Sequence, residues 1–168
     1  MGAPTIDWPE LDAVEDGYYA ILDPDDQSTV TYWRRVRTPR VNSLRAWPAK
    51  ACYGPPIPLR SQLPENPGAR IEFVSAWSKK RRTYLDRIVS AIAAQPEVAA
   101  RCFADLRTRC WSCGRALRDE TSKTLGIGPE CRSGMDPAAL ARYCTPEVGK
   151  AHAAHLATLR AALPAAGR

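Results

Sequence analysis

The sequences CWSCGR at residues 110–115 and GIGPEC at residues 126–131 form the pattern that decides the fold of this 168-residue chain. Cys110 and Cys113 have the spacing of a zinc knuckle, a tight turn in which two thiolates converge on one ion. The glycines of the second run allow a sharp turn, and its proline suits the start of a helix. Cys131 then lies in the first helical turn, where exposed N–H groups stabilise a thiolate. We therefore expect a structural Zn²⁺ site with Cys110, Cys113 and Cys131 as ligands.

The segment between the second and third cysteines has room for a short hairpin, which gives the knuckle, hairpin and helix of a treble-clef zinc module. A fourth ligand is expected two to four residues beyond Cys131, but no cysteine or histidine occurs there. We favour Cys144, because thiolates dominate structural sites. The alternatives are Cys102, Asp119, His152 and His155. An open fourth position would instead resemble a catalytic zinc site.

Disulfide, redox and iron–sulfur roles are less consistent with the cysteine pattern than zinc binding. The N-terminus has no signal-peptide pattern and no apolar run is long enough to cross a bilayer, so we expect a cytoplasmic protein with reduced thiols. A thioredoxin-like pair would require a βαβ context, and an iron–sulfur cluster would require four thiolates. Cys102 lies on the apolar face of a predicted helix and is expected to be a packed core thiol. Packing is also the favoured role of His152 and His155.

The charge is divided unevenly along the chain. Residues 1–30 contain eight acidic residues and no lysine or arginine, so the net charge of +6 implies about +14 on the remainder. A solvated surface with a mobile acidic tail is the more common origin of such runs. The alternative is a surface that binds polyanions and is partly screened by the acidic segment.

The N-terminal third predicts a small antiparallel meander. Residues 17–22 and 28–36 have strand composition around a turn, and a third strand over 43–53 is irregular at Pro48. In the second strand one face is mostly apolar, and the other is basic with one aromatic residue. That second face contains Thr31, Trp33, Arg35 and Arg37.

The rest of the chain predicts a linker followed by helices. Prolines and glycines crowd residues 54–70, whereas Leu85, Ile88, Val89 and Ile92 form the stripe of an amphipathic helix that Pro96 interrupts. We predict an α+β protein of two units. Its segments are an acidic flexible leader (1–16), a β-rich domain (17–53), a linker or long loop (54–70), a helical segment (71–108) and a zinc module with C-terminal helices (109–168).

Residues 110–131 resemble a domain of unknown function that is common in actinobacteria and their phages. Members read Cys-x2-Cys-Gly-Arg-x-Leu-Thr-Asp-x2-Ser and then Gly-Ile-Gly-Pro-x-Cys, and this chain departs at Arg118, where threonine is usual. The resemblance implies a zinc-binding module and a phage origin, and it implies no activity. Members often lack counterparts of Cys102 and Cys144, which weakens Cys144 as the fourth ligand.

The basic surface suggests a partner. A basic helix face, an arginine-rich strand and arginines near the knuckle supply cations beside aromatic rings, as phosphate contact and base stacking require. We therefore expect a non-enzymatic zinc-binding accessory protein that binds DNA or RNA and no small-molecule substrate. The expected contact residues are Trp33, Arg34, Arg35, Arg37, Lys79, Lys80, Arg81, Arg82, Arg115 and Arg118.

Two alternatives remain. Zinc knuckles and small meanders also serve protein–protein interactions, so the chain could dock on, or inhibit, host transcription, replication or defence complexes. A zinc hydrolase is the least supported hypothesis, because the sequence contains no His-Glu-x2-His, no His-x-Glu paired with Cys-x2-Cys and no Gly-x-Ser-x-Gly.

Overall fold

The computed structural model describes residues 10–164 and has the expected α+β architecture. The acidic segment predicted for residues 1–16 lies mostly outside the described residues. In chain order the elements are β1 (Gly17–Leu22), β2 (Val30–Arg37), β3 (Asn42–Trp47), a 3-10 helix (Arg60–Gln62), α1 (Pro67–Ala94), α2 (Pro96–Arg107), α3 (Glu120–Leu125), α4 (Pro129–Gly134), α5 (Pro137–Arg142) and α6 (Pro146–Ala162).

The three strands form an antiparallel meander in the order β1-β2-β3, as the sequence predicts. Asp23 holds the first turn, since its carboxylate accepts hydrogen bonds from the backbone N–H groups of Asp25 and Asp26. The third strand is shorter than the prediction of residues 43–53. It ends at Trp47 because Pro48 has no N–H with which to continue the ladder.

Helices and loops cover both faces of the sheet. On one face, Phe103 of α2 packs against Tyr18, Tyr32 and Trp47, with ring centroids 5.0 to 6.2 Å apart. On the other face, the ring of Trp33 lies 5.5 Å from that of Tyr53 and 6.4 Å from that of Tyr84 in α1. The alternation in β2 therefore separates two packed faces, and Trp33 is buried.

The buried face of β2 also contains Arg35, which is only 2% exposed. Its guanidinium is held by backbone carbonyls, since Nε donates to Val14 O at 3.2 Å and Nη1 donates to Val36 O at 2.8 Å. The expectation that Trp33 and Arg35 contact nucleic acid is corrected accordingly, whereas Arg37 on the same face is exposed. The physical reason is that α1 and the loop after β3 cover Trp33, while the segment before β1 covers Arg35 and supplies the Val14 carbonyl.

The long helical segment breaks where the sequence predicts, since α1 ends at Ala94 and α2 begins at Pro96. The predicted apolar stripe of α1 is confirmed, because its four members are all buried. These residues are Leu85, Ile88, Val89 and Ile92. The helix begins earlier than expected, inside the predicted linker, because the Asn66 side chain caps it by accepting a hydrogen bond from Ala69 N at 3.0 Å.

The sheet, the helices and the cysteine-containing segment share one hydrophobic core. The same buried cluster includes Tyr19 of the sheet, Phe103 of α2, Trp111 and Ile127 of the cysteine segment, and Leu159 of α6. The position of the cysteines is therefore fixed by packing against the rest of the protein. No helix in the described range is long and apolar enough to cross a membrane.

Candidate metal centre

Cys110 and Cys113 lie on a tight turn built by backbone hydrogen bonds. Gly114 N donates to Cys110 O, and Cys110 N donates to Arg115 O, both at 2.8 Å. Gly114 has φ +76°, and a Cβ built on it would lie 2.7 Å from the Tyr18 ring. Glycine is therefore required there for both the backbone conformation and the close approach of the sheet.

A helix replaces the predicted hairpin between the second and third cysteines. Between residues 109 and 125 the β-pairing consists of one antiparallel bridge, which joins Arg109 and Ala116. The chain then enters α3. Asp119 is responsible for the start of this helix, because its side chain accepts a hydrogen bond from Ser122 N at 2.8 Å. Gly126 ends it in the left-handed conformation at φ +76°.

The third cysteine lies in α4, as the sequence predicts. Pro129 occupies the first turn of that helix and Cys131 is its third residue. Gly128 N, immediately before the helix, donates to Cys110 Sγ at 3.4 Å. The turn before α4 therefore both positions Cys131 and stabilises the sulfur of Cys110.

The three sulfurs form a group that could hold a metal ion. The Sγ atoms of Cys110, Cys113 and Cys131 all lie within 4.8 Å of one another. Thiolates about 2.3 Å from a tetrahedral zinc are about 3.8 Å apart, so small side-chain rotations would bring all three onto one ion. Cys110 is buried, Cys131 is half-buried and Cys113 is exposed, so the group lies at the protein surface.

The environment of the sulfurs favours a bound cation. Burial opposes ionisation of Cys110, but the N–H groups of Gly128, Cys113 and Ser112 donate to its sulfur and together lower the pKa of its thiol. Burial and the adjacent sulfurs of Cys113 and Cys110 raise the pKa of Cys131. Neighbouring thiolates repel one another, and a cation between them removes that repulsion.

The other expected ligands lie outside this group of three. Cys144 is exposed and Cys102 is fully buried, with the pKa of its thiol raised to about 12, mainly by burial. Asp119 caps α3. His152 Nε2 lies 2.6 Å from Asp105 Oδ2, between α6 and α2. His155 is half-buried, and burial lowers its pKa.

The expected nucleic-acid contacts are divided between surface and core. Trp33 and Arg35 are buried, so neither side chain is presented to a ligand in this conformation. Arg81 is half-buried and donates to the Tyr53 carbonyl. Arg82 is also half-buried, and it pairs with Asp86. Exposed members of the set are Arg34, Arg37, Lys79, Lys80, Arg115 and Arg118.

A cluster of arginines and aromatic rings lies on one face of the sheet, beside the cysteine turn. The guanidinium of Arg107 lies 4.9 Å from the centroid of the Trp47 ring and 5.2 Å from that of Tyr32. The guanidinium of Arg109 lies 5.8 Å from the Trp47 centroid, while that of Arg34 lies 5.5 Å from the Tyr18 centroid. We call these six residues the arginine–aromatic face.

The sequence indicates the arginines of this face and Tyr32 beside them, but it does not single out Tyr18 or Trp47. Tyr18, Tyr32 and Trp47 lie on one side of three adjacent strands, since Tyr32 pairs with both Ala20 and Trp47. Once the register is known, the period-two alternation of each strand shows which side chains share a face of the sheet. The register itself depends on long-range pairing, which the sequence pattern leaves open.

The arginine–aromatic face is joined to the cysteine turn. Arg109 Nη1 donates to Gly114 O at 2.9 Å, and Tyr18 N donates to Trp111 O at 2.7 Å. A cleft lined by Tyr18, Arg34, Ser112 and Cys113, among others, runs between the sheet and the turn. The conformation of the turn therefore influences where these cations lie.

Residues 100–136 match the model of a family of unknown function (DUF6011). The matched segment begins within α2, continues through the cysteine turn and α3, and ends just after α4, and thus includes all three clustered cysteines. This part of the chain is therefore similar to an uncharacterised domain family. No curated protein and no solved structure matches the chain.

Proposed function

We propose that this chain is a non-enzymatic accessory protein in which a structural Zn²⁺ fixes a basic surface that binds the phosphate backbone of nucleic acid. The supporting observation is the arginine–aromatic face, where Arg107 and Arg109 lie over the ring of Trp47 beside the cysteine turn. In keeping with the resemblance of the motif, we place this accessory role in a phage or its actinobacterial host.

Zinc is the metal that best fits the ligands. Thiolates select soft or borderline ions, and three cysteines from a knuckle and a helix start are common in structural zinc sites. The site lies in one core with α2 and the sheet, and Trp111, next to Cys110, is buried in that core. Bound zinc would therefore stabilise the region that carries the arginines.

The arginines of the face are available to an anionic ligand. Arg34 and Arg107 are exposed and Arg109 is half-exposed. None of the three forms an ion pair with a carboxylate within residues 10–164. The rings beneath them restrict their rotation, so less conformational entropy is lost when a phosphate binds.

The geometry favours contact with phosphate over base stacking. Phe103 stacks on Tyr18 at 5.0 Å, and Arg34 also lies against that ring. Trp47 is likewise contacted by Phe103 and by two guanidinium groups. Because the rings already have partners, the surface presents mainly cations, and we expect binding with little dependence on base sequence.

Fluorescence anisotropy with labelled single-stranded DNA, duplex DNA and single-stranded RNA tests this function. The double variant Arg34→Gln/Arg107→Gln should bind about tenfold or more weakly than wild type, since two phosphate contacts are lost. The matched control Lys150→Gln/Arg160→Gln removes two exposed charges from α6 and should bind within about twofold of wild type. Absence of binding to all three probes at low salt would contradict the proposal.

Docking on a protein, such as a host complex, is a second candidate, because apolar side chains are exposed on the loop before α1 and on the start of that helix. Ile57 and Leu59 are 64% and 66% exposed, and Ile71 is 71% exposed. Exposed apolar side chains of this kind are typical of interaction surfaces. A lysate partner that stays bound after nuclease treatment, and is lost in Ile57→Ser/Ile71→Ser, would favour this candidate over nucleic acid.

A further inference from the structure

The clustered cysteines line a surface cavity of about 490 Å³. Ala116 and Leu117 contribute apolar lining, whereas Arg115 and Glu130 contribute charged groups. A water molecule in the liquid occupies about 30 Å³, so the cavity has room for a ligand of several non-hydrogen atoms. All three clustered cysteines line this space, so a metal held by them would lie beside it.

Other potential metal ligands of the chain lie away from the three clustered cysteines. Within residues 10–164 the group of close ligand atoms consists of the three cysteine sulfurs. Asp119 is engaged as the cap of α3, Cys102 is buried in the core, and His152 contacts Asp105. The side of the metal that faces the cavity is therefore the side on which a fourth donor could arrive from solution.

The charge of the site determines which donor fits there. Three thiolates around a divalent ion carry a net charge of −1, so an anionic fourth donor requires a nearby cation. Arg115 supplies one at the wall of the cavity. Its guanidinium pairs with Glu130 Oε2 at 2.6 Å, but both side chains are at least 75% exposed, so solvent weakens the pair and an incoming anion can compete with Glu130.

We propose that the fourth coordination position of the bound metal is open to this cavity and accepts a small exogenous anion, with Arg115 as the positioning residue that attracts it. The ligand class is a monodentate anionic donor of the azide or alkyl thiolate type, because soft donors suit a metal already held by three thiolates. This inference rests on the metal site of the proposed function, and it assigns that site a ligand-binding role in addition to its structural one.

The test uses the full-length chain loaded with Co²⁺, whose visible absorption bands report on the ligands of the metal. Sodium azide, and separately 2-mercaptoethanol, are titrated at constant ionic strength. We expect azide, and the thiolate that 2-mercaptoethanol forms by releasing its proton to solvent, each to shift the bands saturably, with one anion bound per metal. Arg115→Gln should weaken the apparent azide affinity about threefold to tenfold, whereas Arg118→Gln, an exposed arginine nearby in sequence, should leave it unchanged. Both variants should bind Co²⁺ as wild type does.

Two results would overturn the inference while leaving the metal site intact. Bound Co²⁺ whose bands do not respond to either anion would show that the fourth position is closed. A spectrum altered by Cys144→Ser or by Glu130→Gln would identify that side chain as the donor in place of an exogenous one. A chain that binds no Co²⁺ at all would instead contradict the metal site itself, and the inference with it.

Discussion

The rings of Trp111 and Tyr143 stack with their centroids 4.1 Å apart and their planes inclined by 13°. Trp111 follows the first clustered cysteine, and Tyr143 lies between α5 and α6, so this contact links the metal turn to the C-terminal helices. Arg101 of α2 also fixes the position of Tyr143, because its Nη1 donates to Tyr143 O at 3.1 Å. The turn is therefore supported by packing on its inner side.

Removing the Tyr143 ring should destabilise the whole protein. Tyr143→Ala leaves a cavity beside Trp111 and should lower the free energy of unfolding by about 3 kcal/mol. Tyr143→Phe is the matched control, since it keeps the stacked ring and should lie within about 1 kcal/mol of wild type. Urea denaturation of the metal-loaded protein measures both. Equal stability of Tyr143→Ala and wild type would contradict the shared core.

The glycine of the cysteine turn should be intolerant of a side chain. Gly114→Ala places a methyl group within 3 Å of the Tyr18 ring at a positive φ, so it should destabilise the protein by about 1 to 3 kcal/mol and weaken metal binding. Gly149→Ala in α6 is the control, because nothing lies near the added methyl group and alanine favours a helix by up to about 1 kcal/mol. Thermal melts of both variants, with metal titrations, test this difference.

The amount of the fold that the sequence predicts depends on how local the signals are. Helix starts at Asn66, Asp119, Asp136 and Thr145 depend on a cap a few residues long, and the structure shows all four side chains capping. Two of these starts differ from the sequence prediction. Asn66 lies inside the predicted linker, and Asp119 is a candidate metal ligand in the sequence analysis, since a carboxylate serves both roles. The three clustered cysteines were found from spacing and turn chemistry alone.

The surface residues were harder to assign, because exposure depends on what packs over each strand. The alternation in β2 predicts that Trp33 and Arg35 share one face, but it does not show what covers them. Tyr53 and Tyr84 of α1 pack on Trp33, and the segment containing Val14 covers Arg35. The position of Trp47 beneath Arg107 depends on the pairing of β2 with β3 and on the packing of α2. Both are long-range relationships that no local pattern encodes.

Thiol reactivity should separate the six cysteines into three classes. In the metal-loaded protein, Cys52 and Cys144 are exposed and should react quickly with a disulfide reagent. A strong chelator should expose three more thiols, those of the clustered cysteines. Cys102 should react only on unfolding, because it is fully buried and its pKa is raised to about 12. Protection of Cys144 by the metal, followed by its release with the chelator, would show instead that it is the fourth ligand.

Salt dependence should report on the phosphate contacts. Arg107→Gln should reduce the slope of log affinity against log salt concentration by about 1, since one phosphate contact is removed. Lys150→Gln removes the same charge from α6 and should leave the slope unchanged. Anisotropy titrations at four or more salt concentrations give both slopes. Identical slopes for Arg107→Gln and wild type would remove Arg107 from the proposed surface.

The most direct test of the metal site is the metal content of the purified protein in wild type, Cys113→Ser and Cys52→Ser. We predict one zinc per chain in wild type and in Cys52→Ser, and loss of zinc with a lowered melting temperature in Cys113→Ser, because structural zinc contributes folding free energy directly. Cys113 is exposed, so its replacement has little effect on packing apart from the metal. Zinc retained at one per chain in Cys113→Ser, with an unchanged melting temperature, would contradict the central claim.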